Sequence, residues 1–204
     1  MSLLGCSNRE LKVVKIQDIK FGKNEVIVSV GFFLSSDFAI LKETYPKYVE
    51  NYEPLSRAFV AHATATVDMP NVINIRKAVS GTSGETYLSM RSTKSSICYN
   101  SEVMKSELVE VVSMSSILER LNALGHIDKL LINCEGSEIS IIDKTPIELF
   151  LRCNKIFIQF HSFIPELNIT RNDVTRCLTK LGSIFEYKLI SSRKYSKYLL
   201  EKRV

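Results

Sequence analysis

The sequence predicts an α/β fold, with a mostly parallel sheet, helices on both of its faces and an antiparallel hairpin at the C-terminus. Strand-like and helix-like segments alternate from residue 25 to about residue 182. Two strand-like segments joined by a short Arg-Lys turn then close the chain, as in a β-hairpin. The length of 204 residues fits one domain. We expect that domain over residues 1–204, with an N-terminal extension over residues 1–24 and a loop insertion over residues 91–107.

The elements of the first half follow from local signals. Residues 25–30 form an apolar, β-branched run that ends at Gly31, which is typical of a strand buried on both faces of a parallel sheet. Pro46 ends the helix that follows, and the pair Glu53-Pro54 closes the second strand. The predicted elements are, in order, a strand at 25–30, a helix at 35–45, a strand at 47–52, a helix at 55–66 and a strand at 72–79.

The second half repeats the same alternation. Gly125 ends one helix there, for which Ser115 or Ser116 is the predicted cap. The predicted elements are strands at 86–90 and 108–112, a helix at 115–124, a strand at 127–133, a helix at 137–144, a strand at 155–161, a helix at 168–182 and the hairpin strands at 186–191 and 195–200.

The composition excludes several classes of protein. Hydrophobic residues make up 45% of the chain and charged residues 24%, which is ordinary for a globular domain and excludes a disordered or fibrous chain. No apolar stretch approaches the length of a membrane-spanning helix, so we expect no membrane partner. Five cysteines without a CxxC pair indicate free thiols in a reducing, cytoplasmic compartment rather than a zinc ribbon.

The positive charge is concentrated at the C-terminus. The formal net charge is +5, from 27 basic and 22 acidic residues. Residues 188–204 alone contain six basic residues and one acidic residue. This segment is either a solvated hairpin or a patch that binds phosphate or nucleic acid.

Binding sites in open α/β sheets lie beyond the carboxyl ends of the strands, which directs attention to two residues in the first half. Gly31 follows the first strand, where a glycine lets the backbone pass close to a ligand, although the dinucleotide pattern GxGxxG is absent. Glu53 ends the second strand, where an acid accepts hydrogen bonds from ribose hydroxyls. A plain turn and a solvated acid are the alternatives.

Polar residues also follow two later strands. In the segment 133–138 (NCEGSE), Glu135 is a candidate general base, substrate-positioning group or metal ligand, whereas Glu138 is interpreted as a first-turn helix acid. His161 ends the next strand and is a candidate base or metal ligand, or a structural histidine. His62 and His126 are interpreted as structural.

Four segments taken together resemble the FkbM-type methyltransferases, of which the chain is identified as a divergent member. They are 48–55 (YVENYEPL), 77–84 (KAVSGTSG), 127–138 (IDKLLINCEGSE) and 158–161 (IQFH). The similarity covers about residues 25–200. It implies the Rossmann-like class I methyltransferase sheet and S-adenosylmethionine as cofactor.

The resemblance also assigns roles to individual residues. It places the cofactor loop at Ser29 and Gly31 and the ribose contact at Glu53. It places Ala78 and Val79 beside the adenine. The residues expected to face the methyl donor and the acceptor are Asn133, Glu135 and His161, and no metal ligand is assigned.

This sequence departs from the family pattern by removing negative charge. Ser29, Asn133 and Gln159 stand where the family has acids. The replacements preserve cofactor binding better than catalysis. The resemblance makes the leading hypothesis an enzyme that methylates an oxygen of a small molecule or glycan. The alternatives are a catalytically silent binding or assembly module, which the loss of charge at Asn133 and Gln159 and the basic hairpin suggest, and an RNA-directed methyltransferase that docks nucleic acid on that hairpin.

Overall fold

The structure is a computed structural model that describes residues 19–34, 37–91, 94–96, 106–162, 167–191 and 196–203. The strands are β1 (Val26–Val30), β2 (Tyr48–Tyr52), β3 (Val72–Ile75), β4 (Ala78–Ser80), β5 (Gly84–Arg91), β6 (Lys94–Ser96), β7 (Ser106–Ser113), β8 (Ile127–Ile132), β9 (Cys153–Phe160), β10 (Phe185–Ser191) and β11 (Ser196–Lys202). The helices are α1 (Phe38–Thr44), α2 (Ser56–Ala65), α3 (Met114–Arg120), α4 (Glu138–Lys144), α5 (Ile147–Phe150) and α6 (Arg171–Gly182).

Seven strands form the main sheet in the order β10-β11-β9-β8-β1-β2-β3. The pairs from β3 through β1 to β9 are parallel, and β11 runs antiparallel to both β9 and β10. The predicted α/β class, the mostly parallel sheet and the antiparallel C-terminal pair are confirmed. The order reverses between β1 and β8, which is where such sheets bind ligands.

Helices cover both faces of this sheet because its central strands are apolar on both sides. All five residues of β1 are buried. Val28 packs into the core beneath α3, α4 and α6, whereas Ile27 packs into a second core with Phe38 and Leu41 of α1. Successive side chains of a strand point to opposite faces, so a continuous β-branched run supplies both cores.

A second sheet leaves the main one after β3 and has the order β4-β7-β5-β6. The predicted strand at 72–79 is therefore two strands, because the chain turns after Ile75 and Ala78 pairs with Val111 of β7. The predicted loop at 91–107 is also wrong in part. Strand residues occupy position 91, 94–96 and 106–107, while 92–93 and 97–105 lie outside the described residues.

Local capping accounts for smaller differences at the helix ends. Ser113, rather than Ser115 or Ser116, caps α3 by accepting a hydrogen bond from the Ser116 backbone N–H. Thr170 and Asp173 form a capping box that starts α6. The one-turn helix α5 was not predicted, since four residues give no helical periodicity. Within the described ranges, no helix combines the length and the apolar character needed to cross a membrane.

Candidate functional site

An open cavity of about 220 Å³ lies at the carboxyl ends of β1, β2 and β8. The chain reaches it from the β1–α1 turn, the β2–α2 turn, the start of the second sheet and the loop after β8. The lining residues are Val30, Gly31, Phe33, Leu34, Tyr52, Glu53, Pro54, Leu55, Ala58, His62, Lys77, Ala78, Val79, Leu88, Asn133, Cys134, Glu135 and Ser137.

Gly31 shapes the floor of the cavity through its backbone. Its φ angle is +59°, and a β-carbon at this position would lie 2.6 Å from the carbonyl oxygen of Asn133. The Gly31 N–H donates to the Tyr52 carbonyl at 3.0 Å, and the Asn133 N–H donates to the Val30 carbonyl at 2.9 Å. These bonds hold the ends of β1, β2 and β8 together, and only glycine fits at the point where they converge.

Glu53 presents a desolvated carboxyl group to the cavity. Burial raises its pKa to about 7; the nearby Glu107 adds to this rise, and the Leu55 N–H, which donates to Oε1 at 2.9 Å, opposes it. A carboxylate in this state has little hydration to lose and can accept hydrogen bonds from two hydroxyl groups of a ligand.

The second sheet supplies an apolar wall. Ala78, Val79 and Leu88 all line the cavity and are buried. Val79 belongs to the core under α3 and α4, which fixes this wall against the main sheet. An apolar wall in the same cavity as a carboxyl group is compatible with the base and the sugar of a nucleoside.

Asn133 offers an acceptor at the end of β8. Its Nδ2 donates to the Gly31 carbonyl at 3.4 Å. Its Oδ1 is buried and accepts no hydrogen bond from the residues that the structure describes. A buried carbonyl oxygen of this kind costs free energy unless a donor reaches it, so it fits an ammonium or hydroxyl group of a bound molecule.

Glu138, the first residue of α4, organises the loop between Asn133 and the helix. Its side chain is fully buried, and it accepts hydrogen bonds from the backbone N–H groups of Cys134 and Gly136, each at 3.0 Å. Glu135 between them has a left-handed backbone, with φ at +48°. The sequence interpretation of Glu138 as only a first-turn acid missed this role, which depends on contacts across a loop.

His161 lies behind this loop rather than on the cavity surface. Its ring is fully buried, with Nδ1 2.7 Å from Glu138 and Nε2 3.5 Å from Glu135. Burial lowers the pKa of the imidazole, but the hydrogen bonds and charges of the two carboxylates outweigh this and raise it to about 9. A protonated ring donates to both acids and has no site to accept a proton, so it holds Glu135 in position rather than serving as a base. Gln159 lies 3.0 Å from Nε2, and a ring protonated at both nitrogens requires the Gln159 amide to present its oxygen there as the acceptor.

Tyr52 is held at the cavity by a buried ion pair. Arg120 binds the buried carboxylate of Glu50 through two hydrogen bonds of 2.8 and 2.7 Å, and it also donates to the Tyr52 hydroxyl at 2.8 Å. Tyr52 in turn donates to Glu50 at 2.8 Å. This cluster locks the end of β2 against α3, one residue before Glu53.

The structure brings most of the predicted site residues together. Gly31, Glu53, Ala78, Val79, Asn133 and Glu135 line one cavity, whereas Ser29 and His161 are fully buried and do not line it. Two further lining residues were not predicted for the site, because no sequence signal pointed to Leu88 and His62 was interpreted as structural. The signal for His62 was present, because it follows Leu55 by seven residues and shares a face of α2 with it.

Comparisons with known proteins agree with this arrangement. A family model described as the methyltransferase FkbM domain matches residues 17–187. The structure is similar to methyltransferase FkbM from Methylobacillus flagellatus KT, with a TM-score of 0.55, 13% identity and coverage of 90% of this chain and 44% of that one. The chain thus spans less than half the length of that protein.

Two further solved structures show the same fold. The fibrillarin pre-rRNA processing protein of Methanococcus jannaschii has a TM-score of 0.52 and 10% identity, with coverage of 89% of this chain and 67% of that one. A putative methyltransferase from Streptococcus mutans in complex with SAH has a TM-score of 0.50 and 11% identity, with coverage of 89% and 90%.

No curated protein matches the sequence. The family model nevertheless covers more than half of the chain, and the sheet order and the strand-end cavity are those of a Rossmann-like methyltransferase. The chain belongs to the FkbM methyltransferase family.

Proposed function

We propose that the protein transfers a methyl group from S-adenosylmethionine to a hydroxyl oxygen of a small molecule or glycan. The observation that carries this proposal is the convergence of Gly31, Glu53 and Asn133 on one cavity at the switch point of the sheet. The putative methyltransferase from Streptococcus mutans, which has the same fold, was solved in complex with SAH, and this supports the choice of cofactor.

The residues of the cavity fit this cofactor. The bend at Gly31 provides room that a β-carbon would fill, and Glu53 provides acceptor oxygens for ribose hydroxyls. Asn133 Oδ1, which no described residue satisfies, would accept a hydrogen bond from the amino group of the methionine portion. When bound, the cofactor supplies an electrophilic methyl group on a sulfonium sulfur.

The chain itself supplies a base for the acceptor. An alcohol is a weak nucleophile until its proton is removed, so transfer to oxygen needs a positioned base. Glu135 lines the cavity, and its side chain is 22% exposed. His161, held by Glu138, faces Glu135 from behind and fixes its direction. Glu135 would take the hydroxyl proton, and the cavity would hold donor and acceptor in line.

The experiment that tests this proposal has two stages. Calorimetry with S-adenosylhomocysteine measures binding, and Glu53→Ala is the variant expected to lose it. A methyl-transfer assay on a panel of alcohols and glycans, with Glu135→Gln as the control, then measures turnover. Absence of binding at millimolar ligand contradicts the proposal. Binding without turnover on the whole panel favours the silent module, which the loss of acidic charge at Asn133 and Gln159 suggests.

A second candidate acceptor is RNA, and a specific groove favours it. Four lysines, together with apolar residues of β9, β10 and β11, line a depression on the face of the sheet that carries Phe157. The lysines are Lys20, Lys129, Lys155 and Lys188. Of the basic hairpin named above, Arg193 and Lys194 lie outside the described residues.

The charge of this groove is partly balanced. Lys129 pairs with Glu25, and Lys155 pairs with Glu201. Lys20 and Lys188 form no ion pair with another residue that the structure describes, so they are the unbalanced charges of the groove. If RNA binds in the groove, the double variant Lys20→Glu with Lys188→Glu should make about two fewer phosphate contacts. The affinity for RNA should then depend less steeply on salt concentration. The control is Lys42→Glu on α1, and equal salt dependence in both variants argues against RNA.

A further inference from the structure

His62 belongs to the wall of the cavity, although the sequence analysis interpreted it as structural. Its ring lines the cavity with Leu55 and Ala58, which lie seven and four residues before it on the same face of α2. The residue is only 4% exposed. The edge of its ring packs against Phe38, with ring centroids 5.1 Å apart, so the imidazole is held in one orientation.

A chain of hydrogen bonds under α2 fixes which nitrogen of His62 carries the proton. The Thr66 hydroxyl donates its single proton to the backbone carbonyl of His62 at 2.9 Å, so its oxygen accepts from Asn74 Nδ2 at 2.7 Å. This bond turns the Asn74 carbonyl oxygen toward Asn51. The Thr66 hydroxyl has a single proton and donates it to the backbone, so it must accept from Asn74, and this fixes the orientation of the Asn74 amide.

Asn51 passes this direction to the imidazole. Its Nδ2 donates to Asn74 Oδ1 at 3.0 Å and lies 3.0 Å from His62 Nδ1. An amide nitrogen is only a donor, so His62 Nδ1 is the acceptor. Burial lowers the pKa of His62, and the ring is therefore neutral. A neutral imidazole that accepts at Nδ1 carries its hydrogen on Nε2.

The Nε2–H group has no acceptor among the residues that the structure describes, and the ring borders the cavity. An N–H group that borders the cavity can donate a hydrogen bond to a ligand atom bound there. Glu53 lines the same cavity, and in its carboxylate form it only accepts hydrogen bonds. A hydroxyl group that donates to this carboxylate keeps lone pairs on its oxygen for a second donor.

We propose that His62 Nε2–H donates a hydrogen bond to a ribose oxygen of the bound nucleoside, and that His62 and Glu53 together form the sugar-recognising pair of this cavity. The inference rests on the proposed function, because it takes the ligand to be a nucleoside derivative. It adds a hydrogen-bond donor, His62, to a cavity for which the sequence predicted only the acceptor Glu53. It also identifies the 2′- or 3′-hydroxyl group of the ribose as the group that His62 contacts.

The test compares three proteins and three ligands. S-adenosylhomocysteine binding is measured for the wild type, His62→Leu, which removes the donor, and His62→Gln, whose amide retains one. Adenosine, 2′-deoxyadenosine and 3′-deoxyadenosine are then measured by competition. We expect His62→Leu to weaken S-adenosylhomocysteine binding about five- to tenfold and His62→Gln to recover part of the loss. The deoxyadenosine that lacks the hydroxyl group contacted by His62 should bind the wild type and His62→Leu equally well.

A second measurement does not depend on any ligand. The ¹⁵N chemical shifts of the His62 ring report its tautomer. We expect the Nε2–H tautomer in the wild type. In Asn51→Leu, which removes the donor to Nδ1, we expect the preference for this tautomer to be lost. An Nδ1–H ring in the wild type overturns the inference. So does unchanged S-adenosylhomocysteine affinity in His62→Leu when the wild type binds well, and that outcome leaves the proposed function intact. Failure of the wild type to bind S-adenosylhomocysteine instead removes the proposed function itself and the inference with it.

Discussion

Gly31 and Asn133 approach each other so closely that a β-carbon on the glycine would lie 2.6 Å from the asparagine carbonyl oxygen. The two residues end adjacent parallel strands, β1 and β8, and their contact sets the width of the gap into which the cofactor is proposed to fit. The neighbouring carbonyl belongs to the backbone, so it cannot move aside as a flexible side chain would. Five predictions follow from this contact and from the groups around it.

Substitution of Gly31 by alanine should damage both the fold and the cavity. The φ angle of +59° disfavours any side chain, and the clash with Asn133 adds to that strain, so we expect a loss of about 2–3 kcal/mol in the free energy of unfolding. Binding of S-adenosylhomocysteine should be lost as well.

Gly125→Ala is the matched control for this substitution. Its φ angle is +86°, but a β-carbon there would meet no described atom within 4 Å. Its ψ of −104° places it outside the left-handed helical region, so backbone strain should cost about 1–3 kcal/mol there too, but binding should be unchanged. Urea unfolding and calorimetry measure both effects, and loss of binding in both variants would show that the contact with Asn133 is unimportant.

Glu53 should make both stability and binding depend on pH. Its pKa of about 7 in the fold lies above the ordinary value of 4.5, so its contribution to stability is fully present below pH 4.5 and is lost as the pH rises through 7. Glu53→Gln keeps the acceptor for the Leu55 N–H but never ionises. At pH 8 the variant should therefore be more stable than the wild type, by about 1–2 kcal/mol.

The same variant should bind S-adenosylhomocysteine more weakly. An amide offers one acceptor oxygen without charge, so the affinity at pH 8 should fall about tenfold or more. The wild-type affinity should rise between pH 6 and pH 8 as the carboxylate forms. A wild-type affinity that is constant over this range would contradict a ligand contact at Glu53.

Glu135→Gln should separate catalysis from binding. The amide keeps the shape of the side chain and cannot remove a proton, so we expect turnover to fall by about 10²- to 10⁴-fold with little change in the affinity for S-adenosylhomocysteine. Single-turnover methyl transfer measures the chemical step. The control is Glu186→Gln, which changes an exposed acid on β10 that does not line the cavity. Full activity in Glu135→Gln would exclude Glu135 as the base.

His161 should stabilise the protein at neutral pH and lose this effect in base. Its pKa of about 9 lies above the ordinary 6.5, so its contribution is fully present below pH 6.5 and disappears as the pH rises through 9. We expect the wild type to lose about 2 kcal/mol of stability between pH 7 and pH 9, and His161→Gln to lose little over that range. His126→Gln, at an exposed ring, should keep the wild-type profile.

Arg120 should matter more to stability than its surface position suggests. Its removal leaves the carboxylate of Glu50, 1% exposed, without its cation, so Arg120→Met should cost about 3 kcal/mol. Adding Glu50→Gln should recover much of this loss. Arg176→Met is the control, because its partners Asp143 and Asp173 are partly exposed, and it should cost less than about 1 kcal/mol. Similar losses in the two arginine variants would contradict the importance of burial.

The main sheet and the position of the cavity could be predicted because their signals are local. The β-branched run before Gly31 and the pair Glu53-Pro54 mark strand ends by composition alone, and parallel strands bring such ends to one edge. The fold then places Gly31, Glu53 and Asn133 on one cavity.

What could not be predicted depends on pairing between distant residues. The break between Ile75 and Ala78 exists because Ala78 pairs with Val111. The role of Glu138, at the start of α4, depends on its contact with His161, which follows β9. The orientation of His62 depends on hydrogen bonds from β2 and β3. A sequence pattern reports the period of a segment but not the partner that its side chains find.

The second sheet has a consequence for how the substrate range of such a protein can change. Among the described strands, no hydrogen-bonded pair joins it to the main sheet, yet Val79 and Leu88 reach the cavity from it. An insertion or exchange in this excursion therefore leaves every ladder of the seven-stranded scaffold in place. The residues that the second sheet contributes to the cavity can then diverge while the glycine bend and the acid, which the main sheet contributes, stay the same.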